Sequence, residues 1–133
     1  MLFKQLFENE SSTYTYLISC QEKQEVILID PVLETITRDL KILESMNLKL
    51  THAIDTHIHA DHVTSAAALR EITGCKVAGP SNDMLKCRDI NFKDNDKIII
   101  GNSLQLDAIH TPGHTDAHFS YVLNHGTEKF LFS

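Results

Sequence analysis

The segment Thr56-His57-Ile58-His59-Ala60-Asp61-His62 constrains this chain more than any other part of its sequence. It follows a stretch whose apolar and β-branched composition predicts a strand. Residues two positions apart at the end of an extended strand point to the same side, so His57 and His59 can present two imidazoles to one ion. The chain then turns, and Asp61 and His62 face the same pocket. Imidazole and carboxylate groups together suit zinc, iron or manganese.

This segment therefore predicts a metal site with His57, His59, Asp61 and His62 as ligands, and Asp61 is also the candidate catalytic residue. A solvated, histidine-rich turn is the alternative interpretation, but the mixture of histidine and aspartate at this spacing argues against it. The position also favours a site, because α/β proteins tend to build theirs at the C-terminal ends of strands.

A second motif, Thr111-Pro112-Gly113-His114-Thr115, follows another predicted strand. Proline and glycine indicate a tight turn, which presents His114 from a rigid loop. A lone turn histidine is usually just solvated, but together with the first motif His114 becomes a fifth predicted metal ligand. Thr56 and Thr115 are predicted to support the ligands through hydrogen bonds. Asp30, at the end of a buried strand, either caps a turn or orients a ligand, and we favour the second role.

The remaining histidines carry less weight as ligands. His52 and His110 fall within predicted strands, where packing or a supporting hydrogen bond is the more common role. His118 and His125 are predicted to be structural or to lie at the surface.

Composition narrows the functions that this chain can have. The formal charge of the 133 residues is −6 and lysine and arginine form no long run, which argues against nucleic acid or an anionic membrane as partner. No apolar run approaches the ~20 residues of a membrane span. The N-terminus lacks a signal-peptide pattern, so the expected location is the cytoplasm. Cys20, Cys75 and Cys87 contain no CxxC pair and are predicted to be packing residues of a reducing compartment.

Helical and strand patterns alternate along the chain. Apolar residues at helical spacing predict one helix over residues 35–46 and another over 61–73, the second capped by Asp61 and ended by Gly74. A helix or turn is expected at 81–87 and a hairpin turn at Gly101-Asn102. Strand-type composition is found at residues 13–19, 25–30, 48–55, 76–78, 97–100, 103–110, 118–123 and from 130 onward. This order predicts a mixed α/β layered domain.

The two histidine motifs resemble the metallo-β-lactamase superfamily, and the resemblance covers essentially the whole chain. Further stretches resemble its persulfide dioxygenase (sulfur dioxygenase) branch: Thr13-Tyr14-Thr15-Tyr16-Leu17, the run from Leu28 through Asp30-Pro31-Val32-Leu33-Glu34 to Thr35, and His59-Ala60-Asp61-His62-Val63-Thr64. Glyoxalase II enzymes share the metal motif but usually lack the Asp-Pro-Val-Leu-Glu stretch. The resemblance implies an αββα sandwich with its site along one edge.

The resemblance also implies a reaction. In this branch one Fe²⁺ per subunit is held by two histidines and one aspartate, and the matching histidines are His57 and His114. The implied substrate is glutathione persulfide, or another small molecule derived from glutathione, which dioxygen converts to sulfite and glutathione. His59, Asp61 and His62 would line this site and complete it in two-metal relatives. Zn²⁺ is the alternative metal, and a homodimer is compatible with these features.

The end of the sequence departs from the family pattern. The family's ligand aspartate lies in a Gly-Asp pair just after a strand like Phe130-Leu131-Phe132-Ser133. We therefore expect residues 1–133 to be the N-terminal part of a metallo-β-lactamase-like domain that is incomplete at its C-terminus.

Two other functions stay open on the sequence. One is a thioester hydrolase of glyoxalase II type, acting on hydroxyacylglutathione, in which two metal ions share an attacking water. The other is a metal-binding fragment without catalytic activity, which the absent carboxylate favours.

Overall fold

The computed structural model describes residues 1–133 as ten β-strands, two α-helices and one short 3-10 helix. The mixed α/β composition predicted from the sequence is confirmed. The helices are α1, Ile36–Ser45, and α2, Ala66–Thr73, and the 3-10 helix is Leu33–Thr35. The strands are β1 Leu2–Glu8, β2 Thr13–Cys20, β3 Glu25–Ile29, β4 Lys49–Ile54, β5 Lys76–Pro80, β6 Ile90–Phe92, β7 Lys97–Ile100, β8 Leu104–His110, β9 Phe119–His125 and β10 Glu128–Phe132.

The strands form two sheets that pack face to face. The first has the order β1-β2-β3-β4-β5-β6 and the second the order β10-β9-β8-β7. In the first sheet β1, β2 and β3 are antiparallel, whereas β3 to β6 are parallel. Parallel neighbours need crossover connections, which α1 supplies between β3 and β4 and α2 between β4 and β5, whereas residues 81–89 connect β5 to β6 without a helix. Parallel strands of this kind place their C-terminal ends at one edge of the sheet, and that edge carries the site.

Two apolar cores stabilise the sandwich. One lies between the sheets and includes Ile27, Ile29 and Ile54 from the first sheet with Leu106 and Tyr121 from the second. The other lies between the helices and the outer face of the first sheet. No helix among residues 1–133 covers the outer face of the second sheet. Burial on both faces explains the continuous apolar run of β3, as the sequence predicted.

The predicted second helix is wrong in its N-terminal part. Helix α2 begins at Ala66, and residues 61–65 form an irregular loop in which Asp61 caps nothing. The backbone of this loop is hydrogen-bonded elsewhere: Ser65 N–H donates to the Pro31 carbonyl over 2.9 Å, and Val32 bridges Thr64. These long-range bonds replace the first helical turn, and no local pattern in the sequence reveals them.

Other differences concern edges and exposure. The outer strands β1 and β6 were not predicted, because edge strands with mixed burial lack a clear alternating pattern.

Cys20 and Cys75 are buried as expected, but Cys87 is exposed, so its predicted packing role is wrong. No helix combines the length and the apolar composition that crossing a membrane requires.

Candidate metal centre

The candidate site lies where the loop after β4 meets the ends of β3 and β8. The imidazole centroids of His57 and His59 are 4.1 Å apart, and those of His59 and His62 are 4.2 Å apart. The His114 ring meets the His57 ring edge-on with a centroid separation of 4.7 Å. The structure therefore brings together the histidines of both predicted motifs.

Asp30 fixes the start of this loop. Its Oδ1 atom accepts the Thr56 backbone N–H over 2.7 Å, and the Thr56 hydroxyl lies 2.9 Å from Oδ2. The same hydroxyl oxygen is 2.8 Å from His57 Nδ1. Because the hydroxyl proton is donated to the carboxylate, its oxygen accepts from His57 Nδ1–H. The remaining nitrogen of His57, Nε2, then carries the lone pair that a metal needs.

His59 is held by the same carboxylate from another direction. Its Nε2 atom lies 3.0 Å from Asp30 Oδ1, and this leaves Nδ1 for a ligand. Burial alone would lower the pKa of His59, but the hydrogen bond to Asp30 and the Asp30 charge outweigh it, and the pKa is raised. Asp30 thus contacts the Thr56–His57 pair and His59 together, as the orienting role predicted for it requires.

His57 has the opposite electrostatic environment. Burial, followed by the charge of His59, lowers the pKa of His57 to about 4. The ring is therefore neutral at pH 7. Neutral imidazole is the form that binds a metal ion.

The His62 side chain is 2% exposed, compared with 7% for His59. Its Nδ1 atom is 3.1 Å from Thr13 Oγ1 and 3.3 Å from Asp61 Oδ1. Its Nε2 atom is buried and has no partner in the chain. The ligand atoms of His59, Asp61 and His62 all lie within 4.8 Å of one another, so one ion can contact all three.

The turn that carries His114 also brings His118 into the site. The His118 ring centroid is 5.2 Å from that of His57, and Thr111 Oγ1 lies 3.0 Å from His118 Nδ1. His118 is 7% exposed, which is consistent with a structural role but not with a surface position. Thr115 Oγ1, predicted to support a ligand, is buried without a hydrogen-bond partner.

Asp55 is a second buried carboxylate that the sequence patterns did not single out. It lies one residue before the histidine segment and is 4% exposed. Burial, followed by the charge of Asp30, raises the pKa of Asp55 to about 6. Its only side-chain partner is the Thr64 hydroxyl, 2.8 Å from Oδ1. A buried acid on a strand end next to a metal motif is the signal that could have identified it.

An open cavity of about 560 Å³ gives access to these groups. His57, His59, Asp61 and His114 line it on one side, and Tyr14 and Tyr16 of β2 line it on another. Ser133 lines the same cavity, so the C-terminal end of β10 lies beside the site. The aromatic wall from β2 was not expected from the sequence.

The donor set fits a divalent transition metal. His57, His59 and His62 each have one ring nitrogen hydrogen-bonded within the chain and the other free of such a bond. The buried, unpartnered Nε2 atom of His62 is the strongest single observation, because an orphaned buried polar atom normally has a ligand or a water. Mixed imidazole and carboxylate donors suit iron or zinc.

Comparisons with known proteins agree with this geometry. A family model described as the metallo-beta-lactamase superfamily matches residues 9–133. Persulfide dioxygenase ETHE1, mitochondrial, of Bos taurus is 38% identical over 136 residues, which cover 98% of this chain and 51% of the relative. A hydroxyacylglutathione hydrolase of Pseudomonas aeruginosa strain LESB58 is 31% identical over 117 residues, or 84% of this chain and 42% of the relative.

A solved structure shows the same arrangement of strands and helices. The crystal structure of ETHE1 from Myxococcus xanthus superposes with a TM-score of 0.88 and 46% identity, covering 92% of this chain and 54% of that one. This chain therefore spans about half the length of the relatives it matches.

Proposed function

The chain belongs to the metallo-beta-lactamase superfamily, and from this membership we propose that it acts in a non-haem iron persulfide dioxygenase. The substrate proposed is glutathione persulfide. Its reaction with dioxygen and water yields glutathione, sulfite and protons. Dioxygen is the oxidant, and the outer sulfur of the persulfide is the atom that is oxidised. The observation that carries this proposal is the similarity to proteins named persulfide dioxygenase over 98% of the chain. Residues 1–133 are proposed to be a metallo-β-lactamase-like domain, or part of one.

We assign His57 and His114 as the histidine ligands of one Fe²⁺. Their rings meet at the mouth of the cavity, and His57 is neutral with Nε2 free. Two histidines with one carboxylate and open positions is the arrangement of non-haem iron oxygenases. Asp61 is the exposed carboxylate that lines this cavity.

When bound, the iron would supply Lewis acidity and a place where persulfide sulfur and dioxygen meet. The chain's own residues prepare that position. Asp30 and Thr56 hold His57 with its Nε2 lone pair free, so no proton has to leave at pH 7. Tyr14 and Tyr16 form one wall of the cavity, against which a small thiol-derived substrate can pack.

A thioester hydrolase acting on hydroxyacylglutathione is the second candidate. The specific observation in its favour is the group of His59, Asp61 and His62, which offers a second metal position beside His57. Two ions sharing a water would be needed for this hydrolysis. The similarity to a hydroxyacylglutathione hydrolase over 84% of the chain supports it as well.

Metal content and oxygen uptake distinguish the two proposals. The native gene product, expressed in full and purified anaerobically, is reconstituted with Fe²⁺ and assayed by elemental analysis. We expect one iron per subunit and oxygen uptake that depends on glutathione persulfide. Two metals per subunit with hydrolysis of S-lactoylglutathione would favour the hydrolase. Neither activity in a metal-loaded protein would overturn both, and His52→Ala, a change outside the site, serves as the matched control.

A further inference from the structure

A chain of hydrogen bonds connects the β1–β2 hairpin to His62, whose side chain is 2% exposed. Ser11 Oγ lies 2.5 Å from Glu8 Oε2, and Thr13 Oγ1 lies 2.9 Å from Ser11 Oγ. Thr13 Oγ1 in turn lies 3.1 Å from His62 Nδ1. All four groups are at least partly buried. Three short polar contacts in sequence therefore join a carboxylate of one element to a candidate metal ligand of another.

The Glu8 carboxylate at one end of this series of hydrogen bonds determines which group is the donor in each of them. Glu8 also accepts the backbone N–H groups of Glu10 and Ser11 over 2.8 and 2.7 Å. The Ser11 hydroxyl, followed by these two N–H groups, lowers the pKa of Glu8 to about 2. Glu8 is thus ionised at neutral pH and can only accept hydrogen bonds.

Each hydroxyl has one proton, so the remaining contacts follow. Ser11 Oγ is placed to donate to either Glu8 or Thr13, and its single proton goes to the ionised Glu8, which is the closer acceptor. The Ser11–Thr13 contact then has a proton only if the Thr13 hydroxyl donates it. Thr13 has then used its proton, and its oxygen can only accept from His62 Nδ1–H. If Thr13 donated to His62 instead, either the Ser11–Glu8 contact of 2.5 Å or the Ser11–Thr13 contact of 2.9 Å would have no proton. Asp61 Oδ1, 3.3 Å from the same Nδ1, is a second acceptor and agrees with this assignment.

We propose that Glu8, Ser11 and Thr13 are positioning residues that fix His62 in the Nδ1–H tautomer and present its Nε2 lone pair to the metal pocket. The buried Nε2 atom without a partner is the independent observation that points to a ligand. In metal sites, the tautomer of a histidine is set by the hydrogen bond that its other nitrogen makes. The function of this tautomer rests on the second metal position proposed above, the group of His59, Asp61 and His62, but the hydrogen-bond assignment does not.

The hairpin is suited to this role because its geometry is tightly determined. Glu8 pairs with Thr13 at the end of the β1–β2 ladder, so the two residues face each other across the turn. The carboxylate of Glu8 caps the turn residues that follow it. A rigid turn therefore holds the Thr13 hydroxyl at a fixed distance from His62.

The test compares Thr13→Val, which removes the hydroxyl at nearly constant volume, with Thr13→Ser, which keeps it. Thr51→Val is the matched control, because Thr51 Oγ1 lies 3.1 Å from His52 Nδ1 near the start of β4, away from the site. The first measurement is ¹⁵N NMR of the metal-free chain with labelled histidine, in which the His62 signals are the ones that disappear in His62→Asn. The second measurement is the affinity for Zn²⁺, determined by competition with a chelator.

We expect the wild-type chain, Thr13→Ser and Thr51→Val to show the Nδ1–H tautomer at His62. In Thr13→Val the Nδ1–H signature should weaken, and Zn²⁺ affinity should fall by about 10- to 100-fold, as is typical when a hydrogen bond behind a ligand is lost. Ser11→Ala should give a smaller loss, because the Thr13 oxygen can still accept from His62 Nδ1–H, although its own proton is now also free to turn toward His62.

An unchanged His62 tautomer in Thr13→Val, with unchanged Zn²⁺ affinity, would overturn the proposal. An Nε2–H tautomer in the wild-type chain would overturn it as well. Both results are obtained without catalysis, so they are independent of whether the protein oxidises persulfide. Should Thr13→Val not fold, Ser11→Ala and the wild-type tautomer decide the question.

Discussion

At the scale of single residues, one carboxylate organises much of the candidate site. Asp30 contacts Thr56 through both its oxygens and His59 through one of them. It also adopts a left-handed backbone conformation, with φ of 50°, which is uncommon outside glycine and is found more often for aspartate and asparagine than for other residues. A strained conformation of this kind persists only where surrounding contacts enforce it, and such positions are concentrated at functional sites.

Replacing His57 should remove metal binding while leaving most of the fold. The residue lies at the rim of the cavity, so His57→Ala should change stability little beyond the lost metal linkage. Elemental analysis of the native gene product should show loss of bound iron, and thermal unfolding in chelator should resemble that of the wild type. Metal content equal to that of His52→Ala would contradict this prediction.

Replacing Asp30 should weaken metal binding less than replacing His57 does, but it should destabilise the fold more. Asp30→Ala should lower metal affinity and activity by about 10- to 100-fold, since it removes the orienting bonds but no ligand. It also leaves the Thr56 N–H group buried without its acceptor, a loss of about 1–3 kcal/mol in unfolding free energy. Asp30→Asn, which keeps an acceptor, should recover part of both, as denaturant titration and Zn²⁺ competition can measure.

The buried carboxyl of Asp55 should make stability depend on pH. Its pKa rises from 3.8 to about 6 on folding, so the folded state keeps a proton that the unfolded state loses. That contribution to stability is full below about pH 4 and is lost as the pH rises through 6. Asp55→Asn should therefore be more stable than the wild type at pH 7, by on the order of 1–3 kcal/mol, with no gain near pH 4.

The comparison of Asp55→Asn with the wild type is essential here. The pKa of His57 is lowered to about 4, so its stability contribution rises with pH over much of the same range. Because His57 is present in both proteins, the difference between them isolates Asp55. Denaturant unfolding of the metal-free chains across pH 4 to 8 makes the measurement, and parallel curves would refute the assignment.

At the scale of elements, turn glycines set how α2 ends and how β7 joins β8. Gly74, after α2, has φ of 75° with open space around it, and Gly101 has φ of 61° with Cys20 Sγ in steric overlap with the position where a Cβ would lie. Gly74→Ala should therefore reduce stability only through backbone strain, by about 1–2 kcal/mol. Gly101→Ala adds overpacking, a further loss of about 1–3 kcal/mol.

Denaturant unfolding of the two glycine variants checks this difference. Cys20→Ala should relieve part of the Gly101→Ala defect, because it removes the sulfur atom that the new methyl group meets. It should leave the Gly74→Ala defect unchanged. Equal losses in the two single variants would mean that the turn at Gly101 relaxes.

At the scale of the whole molecule, the first sheet presents an aromatic face that the second sheet covers only in part. The rings of Phe7 and Tyr14 are tilted by 45° with centroids 4.9 Å apart, and each residue is 45% exposed. Phe3, 38% exposed, continues the row toward Phe132. Contiguous exposed apolar surface of this kind drives association. We define the exposed residues Phe3, Phe7 and Tyr14 as the aromatic face.

The 133-residue chain should therefore self-associate through the aromatic face. Light scattering should show an apparent mass that rises with concentration, and Phe7→Ser should reduce it. Ile72→Ser is the matched control, because Ile72 is 61% exposed on α2, away from this face. An equal effect of both substitutions, or a monomer at every concentration, would contradict the prediction.

The sequence predicted much of the fold and the members of the histidine cluster. Local patterns were sufficient for α1, for the buried strand β3 and for the β2–β3 hairpin, because side-chain periodicity reports directly on burial. The spacing of the two histidine motifs likewise placed His57, His59, His62 and His114 near one another. Their binding of a metal stays a prediction.

Only the tertiary structure decided the features that depend on contacts between distant residues. The backbone of residues 63–65 pairs with Pro31 and its neighbours, and this delays the start of α2. Thr13 reaches His62 across 49 positions of sequence, and Tyr121 donates to the Asp55 carbonyl across 66. Periodicity and propensity describe neighbours along the chain, whereas protonation, tautomer and burial are set by neighbours in space, so the sequence determined the donor atoms and the fold decided their state.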